Sequence, residues 1–235
     1  MFDGKSVAVV VPCYNEQTQI EAVLGTMPAF VDAVIVVDDQ SRDETAALVE
    51  RWIEGDGGEA SRVTLIRHET NRGVGAAIVT GYREAMRRRF DVAAVMAGDG
   101  QMPPAELPLL VGPVARGEAD YAKGNRLFHR IAWETIPRHR YLGNAFLSML
   151  TKIASGYWHV ADSQAGYTAI SLEALELIDL DGVYARYGYP NDMLVRLNAV
   201  DMRVADVHVR PCYDVGEQSK MKLFSVVPRM SWLIC

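Results

Sequence analysis

The sequence contains few cysteines, and they are irregularly placed: Cys13, Cys212 and Cys235 are the only three among 235 residues. An odd number without a regular spacing excludes a disulfide framework and a cysteine zinc cluster as organising features. This usage favours a reducing, cytoplasmic setting. Long apolar runs are also absent. No stretch reaches the roughly 18 residues of a membrane-spanning helix, and Val7–Val11 falls short of the core of about 7–15 residues in a signal peptide.

The chain carries no excess of positive charge. It has 24 Lys and Arg against 30 Asp and Glu, which gives a net charge of −6. Because bulk nucleic-acid binding depends on a basic field, this balance argues against a nucleic-acid partner. The hydrophobic fraction of 49% and the charged fraction of 23% are ordinary for a folded globular protein.

Apolar runs alternate with segments of helical periodicity through the first half of the chain. The runs predict four strands, at Val7–Val11, Ala33–Val37, Val63–Ile66 and Val92–Met96. The intervening segments predict helices within 15–28, from Ser41 to about Ile53, over 73–89, and from Pro103-Pro104 onward. Ser41 with Glu44 three residues later resembles a capping box at the start of the second helix. Four such alternations imply βαβ units and a parallel sheet with helices on both faces. After residue 124 the alternation stops, and a long helix is expected at about 141–155.

Polar clusters follow three of the predicted strands, at Pro12–Glu16, Asp38–Asp43 and Asp99–Gln101. In open parallel sheets, ligands bind outside the carboxyl ends of the strands. Asp99 and Gln101 lie on a glycine-rich turn, where oxygen ligands suit a hard divalent cation. Adjacent carboxylates on a strand point to opposite faces, so we expect Asp39 to meet the ligand and Asp38 to cap a turn or helix.

A glycine-rich segment opens the third predicted helix. Gly73-Val74-Gly75 lacks the third glycine of a dinucleotide fingerprint, because Ile78 stands in its place. This disfavours an NAD-dependent oxidoreductase. We interpret the segment as a helix entry in which Arg72 and Gly75 lie near a phosphate.

Six motifs in a fixed order resemble the family 2 glycosyltransferases of GT-A fold, in particular the polyprenol-phosphate (dolichol-phosphate) sugar transferases. They are Val-Val-Pro-Cys-Tyr-Asn-Glu (10–16), Val-Asp-Asp-Gln-Ser-Arg-Asp-Glu-Thr (37–45), Asn-Arg-Gly-Val-Gly-Ala-Ala (71–77), Ala-Gly-Asp-Gly-Gln (97–101), Asp-Ser-Gln-Ala-Gly-Tyr (162–167) and Gly-Glu-Gln-Ser-Lys (216–220). The resemblance covers nearly the whole chain. It implies a single α/β domain with a Rossmann-like, mostly parallel sheet. Its parts would be a nucleotide-sugar-binding half (1–124), an acceptor and catalytic half (125–217) and a C-terminal amphipathic helix (218–235).

The implied activity is an inverting transfer of a hexose from a UDP- or GDP-sugar. By motif match, the nucleotide would be held by Pro12, Tyr14, Glu16 and Asp39. Asp99 and Gln101 would bind Mg²⁺ or Mn²⁺ and serve the departing diphosphate. The sequence departs from the family at Ala97, which replaces the first Asp of the metal motif and removes one ligand. Asp192 is the catalytic-base candidate for a hydroxyl acceptor.

A lipid-phosphate acceptor is already an anion, and it needs cations to steer it more than it needs a base. The candidate cations are Arg126, Arg138, Arg140 and Lys220. Asp162 and Gln164 could orient the donor sugar or the acceptor. Two alternatives stay open: a saccharide or protein hydroxyl as acceptor, and a sugar-nucleotide-binding module without turnover.

The C-terminal residues 220–235 are basic and apolar. Three interpretations remain: a last helix packed on the core, a helix at the cytoplasmic face of a membrane, and a fragment whose parent chain continues into membrane helices. A membrane-surface helix would bring the protein to its lipid acceptor. An apolar C-terminal helix could also join two copies in a homo-oligomer.

Overall fold

The computed structural model describes residues 1–55, 62–127, 148–210 and 212. Within these residues, seven strands form one sheet. The strands are β1 (Val7–Cys13), β2 (Ala33–Asp38), β3 (Val63–Arg67), β4 (Val92–Val95), β5 (Tyr121–Asn125), β6 (Thr168–Ser171) and β7 (Val204–His208). The helices are α1 (Ile20–Gly25), α2 (Thr45–Gly55), α3 (Val74–Arg87), α4 (Leu107–Ala115), α5 (148–155), α6 (Leu172–Leu177) and α7 (Tyr189–Ala199).

The strand order across the sheet is β3-β2-β1-β4-β6-β5-β7. The first four strands pair in parallel, as the alternating pattern predicted. β6 runs antiparallel to both β4 and β5, and β7 is parallel to β5. The sheet is therefore mixed but mostly parallel, and the carboxyl ends of β3, β2, β1 and β4 lie side by side at one edge.

Both faces of the sheet are covered, which explains why the central strands are continuously apolar. In β1, Val7, Val9 and Val11 point into one core, while Ala8 and Val10 point into the other. The first core receives side chains from α1, α2 and α4, and the second receives them from α3, α6 and α7. The prediction of helices on both faces is confirmed.

The predicted start of the second helix is wrong. α2 begins at Thr45, four residues after Ser41. The Asp43 carboxylate accepts the backbone N–H of Thr45 at 3.0 Å, whereas the Ser41 hydroxyl accepts the backbone N–H of Asn15 at 2.9 Å. Ser41 therefore joins the loops after β1 and β2 and does not cap the helix.

The second half of the chain continues the same sheet. The division predicted after residue 124 falls inside β5, so the two halves share one strand. Of the long helix expected at 141–155, the described part is α5. At the fourth predicted helix, Pro104–Glu106 form a 3₁₀ turn that leads directly into α4. No described helix combines the length and the apolar character needed to cross a membrane.

Candidate active site

The loops that follow β1, β2 and β3 are joined by hydrogen bonds between them. The backbone N–H of Glu16 donates to the Thr45 hydroxyl at 2.8 Å, and that of Arg42 donates to the Asn15 side-chain oxygen at 2.8 Å. The Asn71 N–H donates to the Gln40 side-chain oxygen at 2.9 Å. These bonds hold three motif-bearing loops as one unit at the carboxyl edge of the sheet.

The first motif gives this edge its most central residues. Pro12 is buried within β1, while Tyr14 and Glu16 are half-buried beyond its end. The chain turns sharply at Asn15, whose φ of 56° lies in the left-handed region; Asn tolerates this region better than most residues. The structure thus brings Pro12, Tyr14 and Glu16 to the edge where the sequence placed a nucleotide.

The two acidic residues at the end of β2 divide their roles. Asp38 accepts the backbone N–H of Ser41 at 3.3 Å, which is the turn-capping role expected of one member of the pair. Asp39 is only 3% exposed. Its Oδ1 accepts the backbone N–H of Arg72 at 2.8 Å and its Oδ2 that of Gly73 at 2.7 Å. Asp39 therefore anchors the turn before α3, and a direct contact with a nucleotide stays a prediction.

Gly75 has a packing role that the sequence did not indicate. A Cβ at this position would lie 2.2 Å from the Tyr184 carbonyl oxygen and 2.9 Å from the carbonyl carbon of Ala185. The Ala185 carbonyl also accepts the backbone N–H of Ala76 at 3.2 Å. The 184–185 backbone thus packs against the first turn of α3 and leaves no room for a side chain at position 75. This packing explains the glycine without any phosphate ligand. Arg72, in contrast, has an exposed side chain at the same edge.

Asp99 and Gln101 lie on the turn after β4, next to β1. The backbone N–H of Gly98 donates to the Pro12 carbonyl at 3.3 Å, and that of Gln101 donates to Asp99 Oδ1 at 3.0 Å. Both side chains are half-buried. Gly100 permits the turn because its φ is 73°. The fourth strand end therefore completes the edge formed by the first three.

This turn offers a small set of oxygen ligands to a metal. It carries one carboxylate, Asp99, and one amide oxygen, Gln101, because Ala97 has no ligating atom. Among the described residues, no group of three or more His, Cys, Asp or Glu side chains could hold a metal ion. Such a donor set fits a cation that takes its remaining ligands from a diphosphate and water, as Mg²⁺ commonly does.

A second polar cluster lies at the ends of β5 and in the loop before β6. The Arg126 Nε lies 2.8 Å from Oδ2 of Asp162, which is fully buried. Burial alone would raise the pKa of Asp162, but the charge and hydrogen bonds of Arg126, with the charge of Lys123, lower it overall. The Asp162 carboxylate is therefore kept ionised, and it fixes the guanidinium of Arg126.

Lys123 is a residue of this cluster that sequence reasoning missed. Its side chain is fully buried, and its Nζ donates to the carbonyl of Ala165. Burial lowers its pKa to about 7, although Asp162 and Asp206 act in the opposite direction. The apolar neighbours of Lys123 in β5 gave some indication of a buried strand, but the sequence did not indicate that the ammonium group is buried.

Gln164 links this cluster to α7. Its amide nitrogen donates to the Asn191 side-chain oxygen at 2.8 Å. The Asn191 Nδ2 is buried and has no partner among the described residues. The neighbouring Asp192 uses Oδ2 to accept the backbone N–H of Tyr184 at 2.8 Å and the Arg196 Nε at 2.9 Å. Asp192 thus holds the 184 loop and pairs with Arg196, and its role as a base stays a prediction.

Several predicted residues fall outside the described part of the chain. These are Arg138, Arg140, Lys220 and the C-terminal segment 218–235. The sequence motifs do not single out His68. In the structure it bonds directly to Asp39, with Nδ1 2.7 Å from Oδ1. Its position at the end of β3, beside the other strand ends, is the feature of the sequence that could have indicated a role at this edge.

Comparisons with known proteins give a consistent result. The family profile described as Glycosyl transferase family 2 matches residues 8–178. The chain is 28% identical over 218 residues to the UDP-N-acetylglucosamine–dolichyl-phosphate N-acetylglucosaminyltransferase of Methanococcus voltae, covering 89% of this chain and 86% of that protein. It is 30% identical over 206 residues to the undecaprenyl-phosphate mannosyltransferase of Micrococcus luteus, covering 86% of this chain and 82% of that protein.

Solved structures agree on the fold. Glucosyl-3-phosphoglycerate synthase from Mycobacterium tuberculosis, in complex with Mn²⁺, UDP and glucosyl-3-phosphoglycerate, superposes with a TM-score of 0.69. The alignment covers 98% of this chain and 77% of that one, at 20% sequence identity. At this identity the likeness shows a shared architecture, the GT-A fold.

Proposed function

The chain belongs to glycosyl transferase family 2 and is a glycosyltransferase, and we propose that it transfers a hexose from a UDP- or GDP-sugar to a polyprenyl phosphate. One observation carries this proposal: the carboxyl ends of four strands lie together at one edge of the sheet, and the Arg126–Asp162 pair lies further along the same sheet. Relatives named for dolichyl-phosphate and undecaprenyl-phosphate acceptors support the choice of acceptor.

The donor nucleotide would bind at the carboxyl edge of β1, β2 and β3. Tyr14 and Glu16 offer a ring and a carboxylate for a base and ribose, and the exposed side chain of Arg72 offers a cation. Neighbours of the same fold were solved with UDP and with UDP-glucose in the presence of Mn²⁺. These neighbours support a nucleotide as part of the donor, and the choice between uracil and guanine is left to experiment.

A divalent cation would be held by Asp99 and Gln101 together with the donor diphosphate. When bound, it supplies positive charge to the departing nucleoside diphosphate. The chain contributes one carboxylate and one amide oxygen, and the backbone bond from Gln101 to Asp99 fixes the orientation of the acidic side chain.

The acceptor would be bound at the cluster around Arg126. A lipid-phosphate oxygen forms the new bond to the anomeric carbon while the bond from that carbon to the diphosphate breaks. Attack from the opposite side inverts the configuration. Since the nucleophile is an anion, no proton has to be removed, and the fixed guanidinium of Arg126 would steer it. The buried Asn191 Nδ2 beside Gln164 offers a further donor to a sugar or phosphate.

An exposed apolar surface near this cluster supports a membrane acceptor. Met149 and Ile153, one turn apart on α5, are 50% and 62% exposed, and Trp158 is 64% exposed. The opposite side of α5 joins the acceptor cluster, because the Ser148 hydroxyl accepts the backbone N–H of Ser163 at 3.0 Å. Insertion of these side chains at the cytoplasmic membrane face would bring Arg126 toward lipid phosphates.

Calorimetric titration tests the donor half of the proposal. The protein would be titrated with UDP, GDP and their sugars, with and without Mg²⁺ or Mn²⁺. We expect one nucleotide series to bind, and to bind more tightly with metal. The bound donor would then be supplied with polyprenyl phosphate in detergent, and lipid-linked sugar would be measured. Donor binding without transfer to lipid would overturn the acceptor assignment, and no binding in any combination would overturn the donor site.

A further inference from the structure

His68 is buried beneath the nucleotide edge and connects β3, β2 and α3. Its side chain is 5% exposed. Nδ1 lies 2.7 Å from Asp39 Oδ1, and Nε2 lies 2.9 Å from the Thr80 hydroxyl oxygen on α3. Its backbone N–H donates to the Asp38 carbonyl at 2.9 Å. Both ring nitrogens are thus engaged, one by an acidic group and one by a hydroxyl.

The partners of Asp39 fix its role as a hydrogen-bond acceptor. The backbone N–H groups of Arg72 and Gly73 can only donate, and both point to its carboxylate. Hydrogen bonds of this kind favour the ionised form of a carboxylic acid. The ring nitrogen Nδ1 must therefore supply the proton in its short contact with Oδ1.

The contact on the other side of the ring reaches α3. The Thr80 hydroxyl that meets Nε2 also donates to the Ala76 carbonyl at 3.0 Å, one turn earlier on that helix. His68 therefore joins Asp39, directly after β2, to Thr80 on α3.

We propose that His68 is a positioning residue for the donor site: its ring holds Asp39, and through Asp39 it holds the turn at 71–73 against the end of β2. This inference rests on the proposed function, since it assigns a second role within the same donor site. Histidine at this place is a matched partner for a carboxylate and a hydroxyl at once, and no other side chain offers two opposed ring nitrogens.

The turn held in this way carries groups of the proposed donor site. The Arg72 backbone is bound to Asp39 while its side chain is exposed at the edge. Gly73 has a φ of 96° and directly precedes α3, and the Asn71 side chain donates to the Asp39 carbonyl at 3.0 Å. Without His68, the carboxylate loses its side-chain partner and the turn loses its fixed orientation.

The test compares nucleotide binding in His68→Ala, His68→Asn and a control, His159→Ala. His159 also bonds through a ring nitrogen, but to the Val204 carbonyl at the β7 edge. The probes are UDP and GDP with Mg²⁺, titrated by calorimetry. We expect about tenfold weaker binding in His68→Ala, as for one lost charge-assisted hydrogen bond. His68→Asn, whose amide can still donate to Asp39, should recover part of the affinity, and His159→Ala should bind as the wild type does.

Two further readouts separate positioning from general stability. In the transfer assay, the KM for the donor should rise in His68→Ala while kcat at saturating donor stays within about threefold, since the acceptor cluster is untouched. Nitrogen-15 NMR of the ligand-free wild type should show a proton on Nδ1 of His68 in a hydrogen bond to Asp39. An Nδ1 without a proton would overturn the contact that holds Asp39, whatever the activity.

The outcomes also distinguish this inference from the proposed function. If the wild type binds no nucleotide, the proposed function fails, while the NMR experiment still decides the state of His68. If the wild type binds and His68→Ala binds equally well, the positioning role is overturned. Should His68→Ala fail to fold by circular dichroism, Thr80→Val replaces it, since this variant removes the partner of Nε2 and keeps the shape of the side chain. Unchanged donor affinity in Thr80→Val would then overturn the proposal.

Discussion

Arg126 and Asp162 form an ion pair in which the guanidinium Nε lies 2.8 Å from a carboxylate that is fully buried. Arg126 itself remains 24% exposed, so the pair joins the interior of the protein to its surface. A buried charge is tolerated only when it is paired and hydrogen-bonded. This one also receives the backbone N–H groups of Arg126 and Gln164. The pair therefore stabilises the fold, independently of any phosphate that the guanidinium binds.

Arg126→Ala should destabilise the protein by about 3 kcal/mol, because it leaves the Asp162 carboxylate buried without its partner. Urea unfolding at pH 7 measures the change. The matched control is Arg89→Ala, which breaks an exposed pair with Glu176 and should have a small effect. Equal effects of the two substitutions would contradict the assignment of Arg126–Asp162 as a buried pair.

The same substitution should change the acid stability. The pKa of Asp162 is lowered in the folded state. A group of this kind contributes stability above its unfolded pKa, and the contribution is lost as the pH falls through the lower folded value. In Arg126→Ala, the guanidinium no longer opposes the effect of burial, so the pKa of Asp162 rises. The midpoint of acid unfolding, followed by circular dichroism, should then move to higher pH; an unchanged midpoint would count against this account.

Lys123→Met should reduce the dependence of stability on alkaline pH. The pKa of Lys123 is lowered to about 7 by burial, from the ordinary value of 10.5 for a lysine. Between these values the unfolded chain binds more protons than the folded protein, so stability rises with pH, by at most about 1.4 kcal/mol per unit for one group. Met is uncharged and of similar length. Urea unfolding at pH 7, 8 and 9 should show a smaller rise in the variant, and parallel curves would refute the prediction.

Ala97→Asp should strengthen metal binding, because it adds a second carboxylate beside Asp99. We expect about tenfold tighter binding of Mn²⁺ in the presence of nucleotide, and Asp99→Asn should remove the metal-dependent part of nucleotide binding. Ala97→Asn adds a side chain of the same size without the charge and serves as the control. Calorimetry with and without Mn²⁺ measures all three. If Ala97→Asp and Ala97→Asn behave alike, the metal does not bind at this turn.

Gly75→Ala should destabilise the protein by about 1–3 kcal/mol, the usual cost of overpacking. The new Cβ would lie 2.2 Å from the backbone oxygen of Tyr184, and backbone is not easily displaced. Gly55→Ala is the matched control, since a Cβ at the end of α2 meets nothing within 4 Å. Chemical denaturation of both variants gives the comparison. A tolerated Gly75→Ala combined with weaker nucleotide binding would instead favour the predicted phosphate role.

Asp192→Asn distinguishes the two classes of acceptor. With a lipid phosphate no base is needed, so we expect kcat to stay within about threefold of the wild type. Stability should fall, because the ion pair with Arg196 is weakened. Arg196→Gln breaks the same pair from the other side and controls for this structural effect. Near-complete loss of turnover in Asp192→Asn alone, with donor binding intact, would favour a hydroxyl acceptor and a base role for Asp192.

The sequence by itself determined the first four strands, their parallel pairing and the edge at which their polar ends meet. These follow from local periodicity and from the handedness of βαβ connections, both of which depend on residues close together in the chain. Pro12, Asp99 and Gln101 could be placed at this edge for that reason. The motif order was sufficient to indicate the family, which the family profile over residues 8–178 confirms.

Only the tertiary structure decided what several of these side chains contact. Asp39 bonds to His68, which lies 29 positions later in the chain. Gly75 packs against backbone more than 100 positions later. The antiparallel β6 lies between β4 and β5. Such contacts depend on which strands become neighbours and in what register. A sequence pattern records that a residue is buried or polar, but the partner that satisfies a buried charge is chosen by the packing of distant segments.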